Sequence, residues 1–162
     1  MIKNLENGII KIIDYNSDEY KQSLILRDKI LRKPLGLSIY DDDLTKERDD
    51  IIFAYLIDNE IIGTLLLAEL NQNEIRMRQV AVEESYRKLG IGTRLIKFAE
   101  IYAKEQGYLK MVLHARMEAV PFYEKLAYQK VGEEFKEVGI LHISMEKKLQ
   151  QKNTINLASR FK

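Results

Sequence analysis

The chain has 162 residues, enough for one domain that buries a core without disulfides. Its 26 Lys and Arg against 25 Asp and Glu leave a net charge of +1, so no overall field draws the protein to nucleic acid or to an anionic membrane. Cysteine is absent, which excludes disulfides, thiolate metal sites and a cysteine nucleophile. No apolar run has the length of a signal peptide or a membrane span, so we expect a cytoplasmic protein.

The first third of the chain predicts a strand, a helix and a polar loop. Residues 9–14 are rich in isoleucine and predict the strand. A capping box of Asn16 and Glu19 opens a helix that covers about 16–32, and Gly36 closes it. The acidic loop that follows leads to the central sheet.

Three runs rich in branched residues predict successive strands at 51–58, 61–70 and 74–82. The polar tripeptide Asp58-Asn59-Glu60 joins the first two runs and predicts a hairpin. The third run alternates in character, which places one set of side chains on a shared face: Ile75, Met77, Gln79 and Ala81.

The second half of the chain begins with a strongly amphipathic helix over Gly90–Gln106, whose polar stripe includes Glu100 paired with Lys104. Further elements are then predicted in chain order: a strand at 108–115, a short helix at 119–126, and strands at 127–132 and 139–149.

This order of elements indicates an α/β fold of the mixed, α+β-like kind, with a central, mostly antiparallel mixed sheet flanked by helices. No repeat or linker divides the chain, so we predict one domain over 1–149. The tail at 150–162 has no clear periodicity and is left unassigned.

The turn before the long helix has the features of an anion site. A strand runs into Arg87-Lys88-Leu89-Gly90-Ile91-Gly92-Thr93, where glycines open the helix. Helix-start amides point outward, the macrodipole adds about half a positive charge, and two cations lie in the same turn, which together suit a diphosphate. Glycines before a helix also occur as an ordinary loop device. A P-loop is absent, and a dinucleotide fingerprint fails at Leu95.

The same turn carries a resemblance. RKLGIG resembles the acetyl-CoA-binding signature [QR]-x-x-G-x-[GA] of the GNAT superfamily of N-acetyltransferases. The similarity spans about 50–149: LHARMEAVPFYEKLAYQKVGEEF resembles the next block of that family, and GILHISMEKKL resembles a bacterial subgroup of acyltransferases that usually reads G-I-P-H. Two departures stand out, because Ala127 replaces a glycine after the short helix and Leu141 replaces the proline before His142.

The resemblance implies acetyl-CoA as co-substrate, no metal, and direct transfer of acetyl to an amine without an acyl-enzyme. The strand backbone would pair with the pantetheine arm, and the Val82 N–H would face the thioester carbonyl. These strand residues also form core, which does not compete with a backbone role. The implied donor-binding residues are Val80, Ala81, Val82, Arg87, Lys88, Leu89, Gly90, Ile91, Gly92 and Thr93.

The resemblance also implies that Tyr123, in FYEK, protonates the departing CoA thiolate, although a core aromatic is the alternative. The chain has two histidines, His114 and His142, which titrate near neutrality and are candidates for the base that deprotonates the amine. Each could equally be a structural histidine on a strand. Glu69 is a third candidate, and a chain of water molecules could replace all three.

The acceptor is expected to be a small-molecule or peptide amine, and the resemblance is compatible with a homodimer. Three adjacent aspartates, Asp41-Asp42-Asp43, favour a solvated loop over a metal site, and they could attract a cationic amine. A catalytically silent CoA-binding or sensing module of the same fold is the main alternative function. A nucleic-acid binder lacks a long basic stripe, and a nucleotide hydrolase lacks a P-loop lysine.

Overall fold

The computed structural model describes residues 7–149, so the predicted tail at 150–162 lies outside the described residues. Within that range the chain forms seven strands and three α-helices, linked by short 3-10 turns. In chain order they are β1 (Gly8–Ile13), α1 (Asp18–Arg27), β2 (Ile51–Ile57), β3 (Glu60–Glu69), β4 (Glu74–Val82), α2 (Ile91–Glu105), β5 (Lys110–Arg116), α3 (Val120–Lys125), β6 (Gln129–Glu137) and β7 (Ile140–Lys148).

The strands form one sheet in the order β1-β2-β3-β4-β5-β7-β6. The pairs β1–β2, β2–β3, β5–β7 and β6–β7 are antiparallel. This confirms the predicted fold class, a mixed α/β fold with a mostly antiparallel sheet. The predicted hairpin between β2 and β3 is also confirmed: Asp58 and Asn59 both have positive φ, 50° and 65°, which is the backbone of a two-residue turn that matches strand twist.

The described chain divides into two compact units. The first unit comprises 7–68 and 77–99, and the second comprises 69–76 and 100–149. In the first unit, strands β2 and β3 are buried on both faces. One core cluster there forms from apolar side chains of α1 and of strands β1 to β4. Its buried members include Tyr20, Leu24, Leu26, Ile39, Ile52, Ala54, Leu56, Leu66 and Ala81.

The start of α1 corrects the predicted capping box. Ser17 is the N-cap, and its Oγ accepts a hydrogen bond from the Tyr20 amide at 3.1 Å. Asn16 precedes it with φ +64°, a left-handed conformation that asparagine tolerates better than most residues. The α-helix ends at Arg27, and the chain then continues as a π-helical turn over Asp28–Arg32.

The helix α2 follows its predicted apolar stripe, with Ile91, Leu95, Ala99 and Ala103 buried. In the first unit it packs very closely on β3. A Cβ built on Gly63 would lie 2.8 Å from Leu95 Cδ1 and 3.0 Å from Ile91 Cγ2. A methyl group at this position would therefore make two buried side chains move, which glycine avoids.

Glu100 departs from the prediction that placed it on the solvated stripe of α2. It is buried in the second unit, where it accepts hydrogen bonds from the Tyr128 hydroxyl at 2.7 Å and from Lys147 Nζ at 3.0 Å. Both partners come from the closing strands and the loop before them. The carboxylate is therefore a buried, satisfied group rather than one half of a surface pair with Lys104.

Candidate active site

The predicted anion-binding turn is exposed and holds its amides at the head of α2. After a 3-10 turn at Glu84–Tyr86, Arg87 is extended, Lys88 has φ +64° and Gly90 has φ +83°. The first intrahelical bond runs from the Arg94 amide to the Gly90 carbonyl at 3.0 Å. In an α-helix the amides that precede this bond have no acceptor in the helix, so the 91–93 amides are available to an anion.

The side chains around this turn give it a positive character. Arg87 and Lys88 are exposed, and the first turn of α2 holds no acidic residue. Arg94 adds a third cation, which the sequence pattern had suggested only as a polar surface residue. Its NH1 donates to the Tyr55 hydroxyl at 3.3 Å, so a tyrosine of β2 orients the guanidinium. A diphosphate at the turn would thus meet peptide dipoles and cations together.

The end of β4 leads directly into this turn. Ala81 is buried, as a core strand residue should be, whereas Val80 and Val82 are half-buried. The predicted alternation holds for the buried Ile75, Met77 and Ala81 but is interrupted at one position. Gln79 has φ +57°, so the strand backbone turns sharply just before Val80.

Tyr123 lies in the second unit, on the short helix α3. It is 9% exposed, and its ring packs edge-on against Phe122 and Tyr128, with ring centroids 5.2 Å and 5.8 Å away. Burial raises the pKa of Tyr123 to about 12, although the charge of Arg116 acts in the opposite direction. Among the residues described, none forms a hydrogen bond with its hydroxyl. The phenol is therefore protonated at neutral pH and can act as a proton donor.

The two histidines converge on one carboxylate in the second unit. Oε1 of Glu137 lies 3.1 Å from His114 Nδ1, and Oε2 lies 3.7 Å from His142 Nε2. Burial raises the pKa of Glu137, but the hydrogen bond and charge of His114, together with Arg76 and His142, outweigh burial and lower it. The ring of Phe135 separates the histidines, 4.8 Å from His114 and 6.0 Å from His142. We call Glu137, His114, His142 and Arg76 the Glu137 cluster.

The tautomer of each histidine follows from its partners. His142 Nδ1 lies 3.0 Å from the Ile140 carbonyl, which can only accept, so Nδ1 carries a proton and Nε2 is the atom that exchanges one. His142 is 3% exposed. His114 Nδ1 lies 2.7 Å from the Arg76 guanidinium, which can only donate. His114 Nδ1 can therefore accept from Arg76 only when it carries no proton, and it can donate to Glu137 only when it carries one.

Comparison with known proteins assigns the family. A family model described as an acetyltransferase (GNAT) domain matches residues 37–149, well over half of the chain. The chain belongs to the GNAT acetyltransferase family. YyaT of Bacillus subtilis (strain 168), itself uncharacterised, is 31% identical over 112 residues, which are 69% of this chain and 74% of that protein.

Solved structures share the GNAT fold. An aminoglycoside 6'-N-acetyltransferase complexed with coenzyme A has a TM-score of 0.72 at 20% identity, with 89% of this chain and 98% of that chain covered. A GNAT family acetyltransferase from Elizabethkingia anophelis, with acetyl-CoA bound, has a TM-score of 0.67 at 20% identity, with 89% and 99% covered. This likeness extends over nearly all of each chain and confirms the architecture.

The other charged residues singled out in this GNAT sequence have local partners. The third candidate base, Glu69, is exposed and accepts from the Tyr108 hydroxyl at 2.6 Å. Asp42 pairs with Arg32 at 3.0 Å, and Asp43 caps its own 3-10 turn by accepting from Thr45. Within residues 7–149, no three His, Asp or Glu side chains gather so as to hold a metal ion, and no helix is long and apolar enough to cross a membrane.

Three residues described in this subsection were not found from the sequence. Glu137 stands in a polar stretch of β6, Gln79 looks like one more member of an alternating strand, and Arg94 looks like a surface residue of α2. Only Arg94 carried a usable signal, because its position one turn into a helix that opens with R-x-x-G-x-G places a cation near any anion bound there.

Proposed function

We propose that the protein is an N-acetyltransferase that moves an acetyl group from acetyl-CoA to a primary amine by direct attack. The observation that carries this proposal is the turn from Arg87 to Thr93, with exposed cations, left-handed backbone at Lys88 and Gly90, and helix-start amides that suit the diphosphate of CoA. Family membership and the CoA ligands of the structural neighbours support it.

In the proposed reaction the acyl donor lies along the end of β4. The backbone of Val80–Val82 pairs with the pantetheine arm, and an N–H of this segment faces the thioester oxygen, where negative charge develops during attack. A preorganised donor in that place stabilises the transition state more than the ground state. The chain has no cysteine, so no thiol of its own can form a covalent acyl intermediate.

The proton steps are assigned to the second unit. The substrate ammonium loses a proton to a base, its nitrogen bonds to the carbonyl carbon, and the carbon–sulfur bond breaks. The departing thiolate takes the Tyr123 proton, and the acylated nitrogen then loses its second proton, which restores the phenol. His142 is the better base of the two histidines, because its Nδ1 is fixed by a carbonyl, which leaves Nε2 as the nitrogen without a proton. His114 is engaged by Arg76 through the nitrogen that faces Glu137. We propose His142 as base and His114 as part of its electrostatic surroundings.

The test is a thiol-release assay with acetyl-CoA across a panel of amines: a polyamine, an amino sugar, an aminoglycoside, a peptide N-terminus and a protein lysine. We expect one free CoA for each acetylated product, identified by mass. Binding of acetyl-CoA by calorimetry, with no turnover on any amine and no acetylated product, would instead support the silent CoA-binding module. If well-folded protein binds neither CoA nor acetyl-CoA, the proposal is wrong both about donor binding and about acetyl transfer.

A further inference from the structure

Gln79 has a backbone conformation that its residue type does not favour. It stands inside β4, where neighbouring residues are extended, yet its φ is +57°. A side chain with a Cβ is disfavoured in the left-handed region, because the Cβ approaches the following carbonyl oxygen. Such a residue persists when the surrounding structure holds it.

A buried guanidinium holds the Gln79 side chain. Arg27, at the end of α1, has 0% exposure, and its Nε donates to Gln79 Oε1 at 3.3 Å. Its two terminal nitrogens donate to the two carboxylate oxygens of Glu47, at 2.9 Å and 2.5 Å. One planar group thus joins α1, the loop before β2, and β4.

The anchor of this group is itself fixed. Glu47 is 3% exposed and also accepts from the Tyr20 hydroxyl at 2.7 Å. Burial raises the pKa of Glu47, but the hydrogen bond and the charge of Arg27 outweigh burial and lower it. Glu47 is therefore ionised at neutral pH, and the bidentate pair leaves Nε of Arg27 with one direction in which to point.

We infer that Arg27 is a positioning residue for the acyl donor. By holding Gln79 in the left-handed conformation, it sets the direction of the backbone from Val80 to Val82, the segment assigned to the pantetheine arm. This inference rests on the proposed function. Arg27 touches no substrate in this scheme and acts only through Gln79.

The decisive comparison is between Gln79→Ala and Gln79→Gly. Both lose the amide that Arg27 holds, but only glycine can keep a positive φ without penalty. We expect Q79A to bind acetyl-CoA about tenfold more weakly than wild type. Only the fraction of molecules with residue 79 in the left-handed conformation can bind, and the measured affinity falls in proportion to that fraction. Q79G should bind within about threefold of wild type.

The control ligand is 3'-phospho-ADP, the part of CoA that carries the diphosphate but lacks the pantetheine arm. Both variants should bind it as wild type does, since the Arg87–Thr93 turn is unchanged. Calorimetry gives all of these dissociation constants without any acceptor amine. Equal acetyl-CoA affinity in Q79A and Q79G would overturn the inference, and so would a parallel loss of 3'-phospho-ADP binding.

The role of Arg27 is tested by Arg27→Lys in both backgrounds. Lysine keeps a positive charge beside Glu47 but cannot donate to Glu47 and Gln79 with a fixed fork. We expect R27K to weaken acetyl-CoA binding in the Gln79 background and to have little further effect in the Q79G background. An equal loss in both backgrounds contradicts the inference. If R27K fails to fold, equal acetyl-CoA affinity in Q79A and Q79G still overturns the inference. Wild type that binds neither ligand refutes the proposed function instead.

Discussion

Nε2 of His142 lies 3.7 Å from Oε2 of Glu137, on neighbouring strands β7 and β6 just beyond their shared hairpin turn. The same carboxylate reaches His114 and Arg76 with its other oxygen, at 3.1 Å and 3.5 Å. A carboxylate so placed joins both histidines and Arg76 in one charged network. The surroundings of the proposed base therefore depend on a residue that does not itself take part in the chemistry.

Glu137→Gln removes that charge while keeping a similar shape. Because the neutral amide no longer stabilises the positive charge that the proposed base carries in the transition state, kcat/KM should fall by about tenfold. The groups that face His142 include Glu137 and the Ile140 carbonyl, and His114 and Arg76 share the Glu137 carboxylate. The measurement is kcat/KM from pH 5 to 9 with an amine accepted in the panel. Glu133→Gln, exposed on the same strand, is the control, and an unchanged E137Q profile would contradict this role.

Tyr123→Phe should lower kcat by about a hundredfold and leave acetyl-CoA affinity nearly intact, because only the proton for the leaving thiolate is lost. Steady-state kinetics and calorimetry on the same sample measure the two effects. Tyr128→Phe is the matched control, since this buried tyrosine packs against Tyr123 and its hydroxyl donates to Glu100. That variant should lose stability but not kcat. Equal kcat values for Y123F and wild type would remove Tyr123 from the mechanism.

Gly90 and Gly107 form a matched pair, with φ of +83° and +92°, and a methyl group on either meets no atom within 4 Å. Gly90→Ala and Gly107→Ala should each lower stability by about 1 kcal/mol, because alanine is strained at positive φ. Only G90A should also weaken acetyl-CoA binding, by about tenfold, since the added methyl lies where the diphosphate approaches the amides. Thermal unfolding and calorimetry test both effects. Equal acetyl-CoA binding by the two variants would argue against a diphosphate site at the Arg87–Thr93 turn.

Glu47 should make stability depend on pH. In the folded protein the pKa of Glu47 lies below its ordinary value of 4.5. The contribution of Glu47 to the free energy of unfolding is therefore complete above pH 4.5 and is lost as the pH falls through the lowered pKa. Glu47→Gln leaves the buried Arg27 without a counter-charge and should cost about 3 kcal/mol at pH 7. Urea unfolding from pH 7 to 3 should show this difference shrinking below pH 4.5. Glu19→Gln, in a surface pair with Lys11, should change stability by well under 1 kcal/mol, roughly independent of pH.

Ala127 occupies a glycine conformation, with φ +73° in the turn between α3 and β6. Ala127→Gly should therefore stabilise the protein by about 1 kcal/mol, and Ala127→Val should destabilise it by more than that, since a β-branched residue suits this region least. Thermal unfolding ranks the three proteins. The order glycine, alanine, valine is expected, and any other order would mean that contacts of the alanine methyl outweigh the backbone strain.

The sequence predicted those features that local pattern determines. Helical spacing located α2. The order of a strand, a turn with glycines and that helix predicted the anion site. The positive φ of Ala127 agrees with the resemblance, which places a glycine at that one position.

Features that depend on distant partners were not predicted. Glu100 has the spacing of a surface residue, but its partners Tyr128, just before β6, and Lys147, on β7, lie far along the chain. Gln79 alternates correctly with Met77 and Ala81, and nothing in a glutamine signals a left-handed backbone. The cap at Ser17 rather than Asn16 was a choice between two adjacent residues that both cap well.

The hydrogen atom that serves as the side chain of Gly63 has a consequence for how this protein can change over generations. Leu95 and Ile91 press against that strand so closely that the height of the helix above it is set by atomic contact. A lineage that acquired one methyl group there would have to turn the end of Leu95 aside and move Ile91 by a few tenths of an ångström. Until it did, the displaced helix would carry its amino end, and whatever anion it binds, away from the neighbouring strands.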